Sequence, residues 1–338
     1  MRDLYHYSLL PHNTFGIEAS CRRFLEYASV SEAGEVADIL RAEQAPWLIV
    51  GGGSNLLLTH DYEGTVVHSV LRGMTLTEQP DGQAMLCCGS GESWDDVVAW
   101  AVQMGFPDFV NLSLIPGDVG ASAVQNIGAY GAEVAQFIHE VRAVEVATGQ
   151  RVTIPATECR YAYRDSRFKH EWKNAFLITH VVYRLNRSAA LQLDYAGIRE
   201  ALQQRAIDQP TPSQLRQTII DIRRHKLPDP TETGNAGSFF VNPVVERAKY
   251  DALASRYDQM PHYDVDADHV KIPAAWLIDQ CGWKGRTMGR AGVHHRQALV
   301  LVNRGGASGT DIVNLCRAIQ ADVYQRFSIE LKPEVNII

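Results

Sequence analysis

The sequence predicts an α+β fold, and three observations point to it. Helix-like and strand-like periodicities are interspersed along the whole chain. They do not follow the regular strand–helix alternation that builds a doubly wound parallel sheet. Between Gly64 and Gly91 the pattern is short strands joined by turn residues. A chain of 338 residues with 46% hydrophobic content suffices for about two or three domains of ~100–200 residues, each with its own core.

Taken in order, Asn13-Thr-Phe-Gly16 supplies a turn or cap near the start. Ser31 to Gln44 places Val36, Ile39 and Leu40 on one face of a helix. Trp47-Leu-Ile-Val50 predicts a short buried strand, and Leu56-Leu-Leu58 resumes the apolar pattern after a glycine turn. Further strands are predicted over 65–70 and 84–88. Trp94 to Met104 predicts a helix, with Asp95 and Asp96 favourably close to its positive end. Strands follow over 141–146, 151–154 and 175–185, the first two joined as a hairpin by Ala147-Thr-Gly-Gln150. Gln209-Pro-Thr-Pro212 marks a boundary before a helix over 213–224. Leu227-Pro-Asp-Pro230 stops that helix, because proline lacks an N–H and restricts the residue before it. Residues 273–281 predict a helix with Pro273 at its first position. Residues 309–327 predict another, lined by Ile312, Val313, Leu315, Ile319 and Val323; Ile329-Glu-Leu331 then predicts an extended tail.

A formal net charge of −7 argues against nucleic acid or an anionic membrane surface as the main partner. Positive charge gathers locally at Arg223-Arg224-His225-Lys226, which suits a small anionic ligand or a solvated helix end. The cysteines form no C-x-x-C pair, and on a strand Cys87 and Cys88 point to opposite faces. Reduced thiols and a cytosolic setting are expected. Residues 1–10 lack the apolar stretch of a signal peptide. No apolar run reaches the ~18 residues of a membrane helix. The histidines include no H-E-x-x-H, and no metal site is expected.

Two glycine clusters carry the most chemistry. Ile115-Pro-Gly-Asp-Val-Gly-Ala-Ser-Ala-Val-Gln-Asn-Ile-Gly-Ala-Tyr-Gly131 sets Gly117, Gly120, Gly128 and Gly131 beside Gln125 and Asn126. Taken alone it reads more readily as a glycine-rich surface loop than as a ligand site. A second cluster with the same amide companion weakens that reading: Gly51-Gly-Gly-Ser-Asn55, directly after an apolar strand. Such a strand–turn unit offers a row of N–H groups to an anion. The spacing is neither a Rossmann fingerprint nor a Walker loop. A diphosphate suits it, and the motif alone leaves the ligand class open.

Three further segments stand out. Tyr161-Ala-Tyr-Arg-Asp-Ser-Arg-Phe168 presents Arg164, whose guanidinium can fork onto a carboxylate, or can belong to a salt-bridged hairpin end. Asn235-Ala-Gly-Ser-Phe-Phe-Val-Asn-Pro243 presents Ser238 on a small-residue turn. With no G-x-S-x-G elbow and no histidine in the motif, Ser238 is no esterase nucleophile, but a serine can hand a proton to a carbanion. Glu334 lies almost at the C-terminus, and Pro333, Val335, Ile337 and Ile338 suggest that this tail is tied down rather than frayed.

In this order, these segments resemble the type I UDP-N-acetylenolpyruvoylglucosamine reductases, the MurB family. The resemblance also takes in Tyr163-Arg-Asp-Ser166, Lys226-Leu-Pro-Asp-Pro230, Trp276-Leu-Ile-Asp-Gln-Cys281 and Pro333-Glu-Val335, and so covers essentially the whole chain. It implies an FAD-binding fold of the vanillyl-alcohol-oxidase type in two subdomains, 1–68 and 69–220, with a substrate-binding domain at 221–325. The tail 326–338 would return to the first subdomain. It implies NADPH-driven reduction of an enolpyruvyl ether of UDP-N-acetylglucosamine to UDP-N-acetylmuramate for peptidoglycan synthesis, with noncovalent FAD; a monomer is expected.

The resemblance also assigns residues. Gly51, Gly52, Gly53, Ser54 and Asn55 would lie at the FAD diphosphate, and Gly120, Gln125, Asn126, Gly128, Ala129 and Tyr130 near flavin and ribityl. Arg164 and Glu334 match the residues at the substrate carboxylate, where Glu334 must hold or share a proton to help an anion. Ser238 matches the proton donor. Tyr195 matches the mobile tyrosine of type I members, and Lys226 and Asn242 residues near the substrate diphosphate. By the same resemblance Lys284 and Gln297 would lie toward the nucleotide. Val241 stands where many members have lysine, which leaves more of the diphosphate charge to Lys226. The alternatives are another FAD-linked oxidase or dehydrogenase of the same superfamily and a nucleotide-sugar-binding or flavin-sensing protein without turnover.

Overall fold

The computed structural model describes residues 1–43, 45–195 and 197–338. Gln44, the last residue of the first predicted helix, and Ala196, beside Tyr195, lie outside the described residues. The fold is α+β. The chain divides into two compact units: Met1–Tyr7, Ser20–Gly52 and Tyr62–His225 form one, and Ser8–Ala19, Gly53–Asp61 and Lys226–Ile338 form the other.

The first unit holds two sheets. In the smaller, the strands run in the order Arg2–Ser8, Ser20–Tyr27, Tyr62–Ser69, Trp47–Ile49. Tyr62–Ser69 is parallel to both its neighbours. The helix Val30–Ala42 is capped by Ser29, whose side chain accepts from the Glu32 N–H. It buries Ala33, Val36, Ala37 and Leu40 against Leu25, Tyr27 and Val67. The larger sheet is antiparallel, in the order Arg151–Pro155, Ile138–Glu145, Phe176–Asn186, Gln83–Gly89, Met74–Glu78. The period-2 rule holds on Gln83–Gly89: Ala84, Leu86 and Cys88 are buried, and Cys87 lies on the other face near Arg142. Helix Trp94–Gln103 covers this sheet, with Trp94, Phe109 and Tyr183 in mutual ring contact.

The second unit gathers three distant parts of the sequence. The helix Gly309–Phe327 starts with a capping box between Ser308 and Asp311. Two small three-stranded sheets accompany it. The tail strand Asn336–Ile337 pairs in parallel with Leu56–Leu57.

Some elements depart from the sequence reading. The glycine-rich centre contains a seven-residue helix, Val119–Gln125, where only a loop is expected. Its small residues let it pack closely: a β-carbon on Gly120 would come within 3.0 Å of Ser90 Cβ. The helix Ala274–Gln280 starts one residue later than predicted, with Pro273 as its extended cap. Ile329-Glu-Leu331 forms no strand, although Ile329 and Leu331 are buried.

One carboxylate ties three segments of the first unit together. Asp95 accepts a two-pronged bond from Arg216, at 2.7 and 3.0 Å, and also the N–H of Leu114. It thus joins helix Trp94–Gln103, helix Pro212–Lys226 and the lead into the glycine-rich centre. Asp95→Ala strands both partners, and charged hydrogen bonds of this kind contribute about 1.5–3 kcal/mol. A fall of about 2 kcal/mol in unfolding free energy is expected, seen as a lower urea midpoint at unchanged slope. An unchanged midpoint would contradict this role.

Candidate active site

The first unit positions Arg164 from two directions. Arg164 occupies a tight turn closed by Ala162 and Asp165, with left-handed backbone at φ 55°. Its Nη2 donates to the Gly128 carbonyl at 2.5 Å. Gly128 begins a small hairpin with Ala132–Glu133. A β-carbon on Gly128 would lie 2.8 Å from the Ala132 carbonyl oxygen and 3.3 Å from Arg164 Nη1. The backbone approach is one that only glycine allows without a shift, and the guanidinium would have to give by a few tenths of an ångström to admit a side chain. The turn is also braced by a contact of His170 Nε2 with Asp165 and an ion pair of Arg167 with Glu171, both at 2.7 Å. The salt-bridged turn and the anchored guanidinium are therefore one structure.

The glycine-rich centre is held by amides from inside. Asn126 is fully buried and left-handed, at φ 42°. Its Nδ2 donates to Glu133 at 2.9 Å and to the Ala162 carbonyl at 2.7 Å, while its Oδ1 accepts from the Ala135 N–H. Its amide is committed to the protein, so Asn126 shapes the loop. Gln125, half-buried at the helix end, makes no side-chain bond among the described residues. Tyr130 is left-handed too, at φ 48°, and Tyr195 meets it edge-on at 5.7 Å. Burial raises the Tyr130 hydroxyl pKa, with Arg223 opposing; burial lowers the pKa of Arg223.

The second unit brings Ser238, Glu334 and Asn55 together. The tail runs beside the Ser238 segment: the Glu334 N–H donates to the Phe239 carbonyl at 2.8 Å, and the Val241 N–H to the Lys332 carbonyl at 3.0 Å. Asn55 Nδ2 donates to the Glu334 carbonyl at 3.3 Å, and the Asn55 carbonyl accepts from Asn336. Gly237, at φ 68°, turns the chain so that Ser238 is exposed while Phe239 and Phe240 are buried. The Asn13–Gly16 turn joins this group, since Thr14 donates to the Gly53 and Asn235 carbonyls.

The remaining predicted residues are less concentrated. Lys226 is exposed at a helix end. Asn242 uses its side-chain oxygen to accept from the Ala274 N–H. Lys284 pairs with Asp279 at 3.2 Å, and Gln297 accepts from the Leu299 N–H. The sequence reading missed Asn111, whose buried amide donates to the Tyr130 and Gln192 carbonyls. It also missed Asp118 as a site residue, although Asp118 is the one charge within the glycine-rich centre.

The residues present fit a bound dinucleotide. The N–H groups of Gly51 and Gly52 donate to no backbone carbonyl among the described residues. A β-carbon on Gly51 would come 3.0 Å from Ala121 Cβ, and one on Gly52 3.0 Å from Gly117 Cα. This is a narrow backbone-lined cradle of the kind that holds phosphate.

Comparisons with known proteins agree. Residues 22–155 match an FAD binding domain, which makes this an FAD-binding protein. Residues 229–338 match the C-terminal domain of UDP-N-acetylenolpyruvoylglucosamine reductase. The UDP-N-acetylenolpyruvoylglucosamine reductase of Bacteroides fragilis is 50% identical over 98% of this chain and 99% of its own. That of Paraburkholderia phymatum is 46% identical over 97% of this chain and 95% of its own. The chain belongs to the UDP-N-acetylenolpyruvoylglucosamine reductase family. The crystal structure of the Thermus caldophilus enzyme shares the fold, with a TM-score of 0.66 at 19% identity, covering 99% of this chain and 98% of that one.

Gly128→Ala tests the support of Arg164. The hairpin or the guanidinium must shift, and a misplacement of ~1 Å can cost about 10²-fold in rate. Turnover should fall by about that factor, with a melting temperature only a few degrees lower. Retained turnover would show that Arg164 does not depend on this contact.

Proposed function

We propose that this chain reduces the enolpyruvyl ether of UDP-N-acetylglucosamine to UDP-N-acetylmuramate, with FAD as cofactor and NADPH as reductant, in peptidoglycan precursor synthesis. The observation that carries the reading is the tail contact, which sets half-buried Glu334 beside the loop of exposed Ser238. The Ser238 hydroxyl has no hydrogen-bond partner among the described residues. A proton donor should be left uncommitted in this way.

FAD, when bound, would supply the hydride for the enolpyruvyl methylene carbon. Gly51, Gly52, Gly53, Ser54 and Asn55 hold the cofactor's diphosphate. Gly120, Gln125, Gly128, Ala129 and Tyr130 flank its flavin and ribityl parts, and Asn126 fixes that loop. Negative charge develops toward the substrate carboxylate as an enolate. Arg164 offers fixed donors to it, and donors aimed in advance cost no reorganisation during reaction. Glu334 assists at the carboxylate by holding or sharing a proton, since a bare carboxylate would repel the anion. Ser238 delivers its proton to the adjacent carbon. An alcohol is a weak acid, so position must supply most of the effect. Tyr195, Lys226, Asn242, Lys284 and Gln297 serve the nucleotide-sugar. No helix among the described residues is long and apolar enough to cross a membrane, and we take the working form to be a cytoplasmic monomer.

Two substitutions separate binding from chemistry. Lys226→Ala should raise KM for the nucleotide-sugar far more than it lowers kcat. A phosphate contact remote from the reacting carbons is equally strong in ground and transition states, and its loss costs about 1.5–3 kcal/mol. A collapsed kcat at unchanged KM would place Lys226 in the chemistry.

Ser238→Ala should leave reduction of the flavin by NADPH near normal. It should slow flavin reoxidation by substrate by about 10²–10⁴-fold, the usual contribution of a positioned acid. Stopped-flow measurement of the two half-reactions decides. Normal reoxidation, or an equal modest loss in both halves with a lower melting temperature, would reduce Ser238 to a turn residue.

A further inference from the structure

We propose that Asp118 is a cofactor-contact residue whose carboxyl carries a proton in the FAD complex, so that the chain takes up a proton with its cofactor. The proposal rests on the diphosphate lying at Gly51–Gly52.

Asp118 lies where the helix Val119–Gln125 begins, yet its side chain makes no capping hydrogen bond. Its two oxygens are turned on the glycine row. Oδ2 lies 3.2 Å from the position of a β-carbon on Gly51, and Oδ1 lies 3.4 Å from that on Gly52. A diphosphate held by those glycines brings its charge against a half-buried carboxylate. Two negative groups so close and so poorly solvated do not both stay ionised cheaply. The carboxylate can relieve the conflict by taking a proton from solvent, which turns it from a repelling acceptor into a donor to a phosphate oxygen.

The surroundings favour this. Burial pushes the Asp118 carboxyl up to about 6, with His68 and Arg72 opposing. His68 faces it from strand Tyr62–Ser69, its Nδ1 donating to the Val50 carbonyl at 2.9 Å. Arg72, from the following segment, is paired with Glu92 at 3.2 Å. Glu92 and Ser93 precede the next helix, where Ser93 bridges to Asp118 and the Glu92 carbonyl accepts from Val119. Ser90 beneath Gly120 and the Gly51–Gly52 turn add no titratable group. The diphosphate itself stays doubly charged throughout this range, so Asp118 is the group whose protonation changes.

The sign follows from linkage. Below about pH 6 the carboxyl already holds its proton and affinity is constant. As pH rises through that value, binding must recruit a proton, and FAD affinity falls by up to about tenfold per pH unit. The test is titration of the full-length apoprotein with FAD, followed by flavin fluorescence, from pH 5 to 8. The wild-type Kd should be flat at the acid end and rise above it; Asp118→Asn should be flat throughout and bind more tightly at pH 8. Parallel profiles in the two proteins overturn the proposal. Should Asp118→Asn fail to fold, calorimetry of the wild type at pH 7 in two buffers of different ionisation enthalpy decides: net proton uptake supports it, and none overturns it. Gly52→Ala checks the premise separately. Weaker FAD binding at every pH supports the diphosphate placement, whereas unchanged binding removes that placement and the proposal with it.

Discussion

The second unit depends on main chains crossing with no room for a side chain. A β-carbon on Gly309 would lie 1.9 Å from the Leu58 carbonyl oxygen, and one on Gly234 2.1 Å from that of Phe15. Both distances are far inside van der Waals contact, so no other residue serves. These crossings hold three segments from distant parts of the sequence in one unit. They also leave backbone groups free to pair across them: the Asn235 N–H donates to Thr14, and Asn303 donates to Gly234 and Phe15. Ser238 and Glu334 hang from this frame. Their mutual position is set by backbone hydrogen bonds, which resist side-chain fluctuation.

The first unit uses a different device. Leu114, Asn126, Tyr130 and Arg164 are all non-glycine residues with positive φ, between 42° and 59°. Such backbone costs of order 1–3 kcal/mol per residue and persists only where neighbours enforce it. Here the enforcing bonds can be named. Asp95 accepts from Leu114, Asn126 is bonded at both ends of its amide, Asn111 holds the Tyr130 carbonyl, and Lys169 holds that of Arg164. Similar left-handed residues occur elsewhere in the chain, among them His6 and Asn174, and the antiparallel sheet has its own register shifts, between Ile138 and Glu140 and between Arg142 and Ala143; what marks these four is that each has a named bond holding it.

Much of this was legible in the sequence. The two glycine–amide clusters, the serine turn and the tethered tail each announced themselves through residue type and order. The tail is the clearest case: Pro333 and Val335 beside Glu334 predicted an anchored end, and Val335 is buried. The short helix Val119–Gln125 was not legible, because glycine and alanine in a seven-residue stretch read as a loop. Tertiary packing on Ser90 overrides that local preference. Asn126 illustrates a subtler limit. Its residue type suggested a ligand contact, but an amide can face inward or outward, and only the positions of Glu133, Ala135 and Ala162 turn it inward.

By itself the sequence determined the α+β class, most of the run of helices and strands, and a set of candidate site residues. Periodicity, turn chemistry and motif order are local properties, and they survive without knowledge of what lies across the chain. The tertiary structure alone decided which residues meet. It paired Glu334 with Phe239 across almost a hundred positions, set Gly128 under Arg164, and turned the Asp118 carboxylate onto Gly51 and Gly52. These outcomes depend on distances between segments remote in sequence, and a carboxylate's charge state depends on which of them exclude water from it.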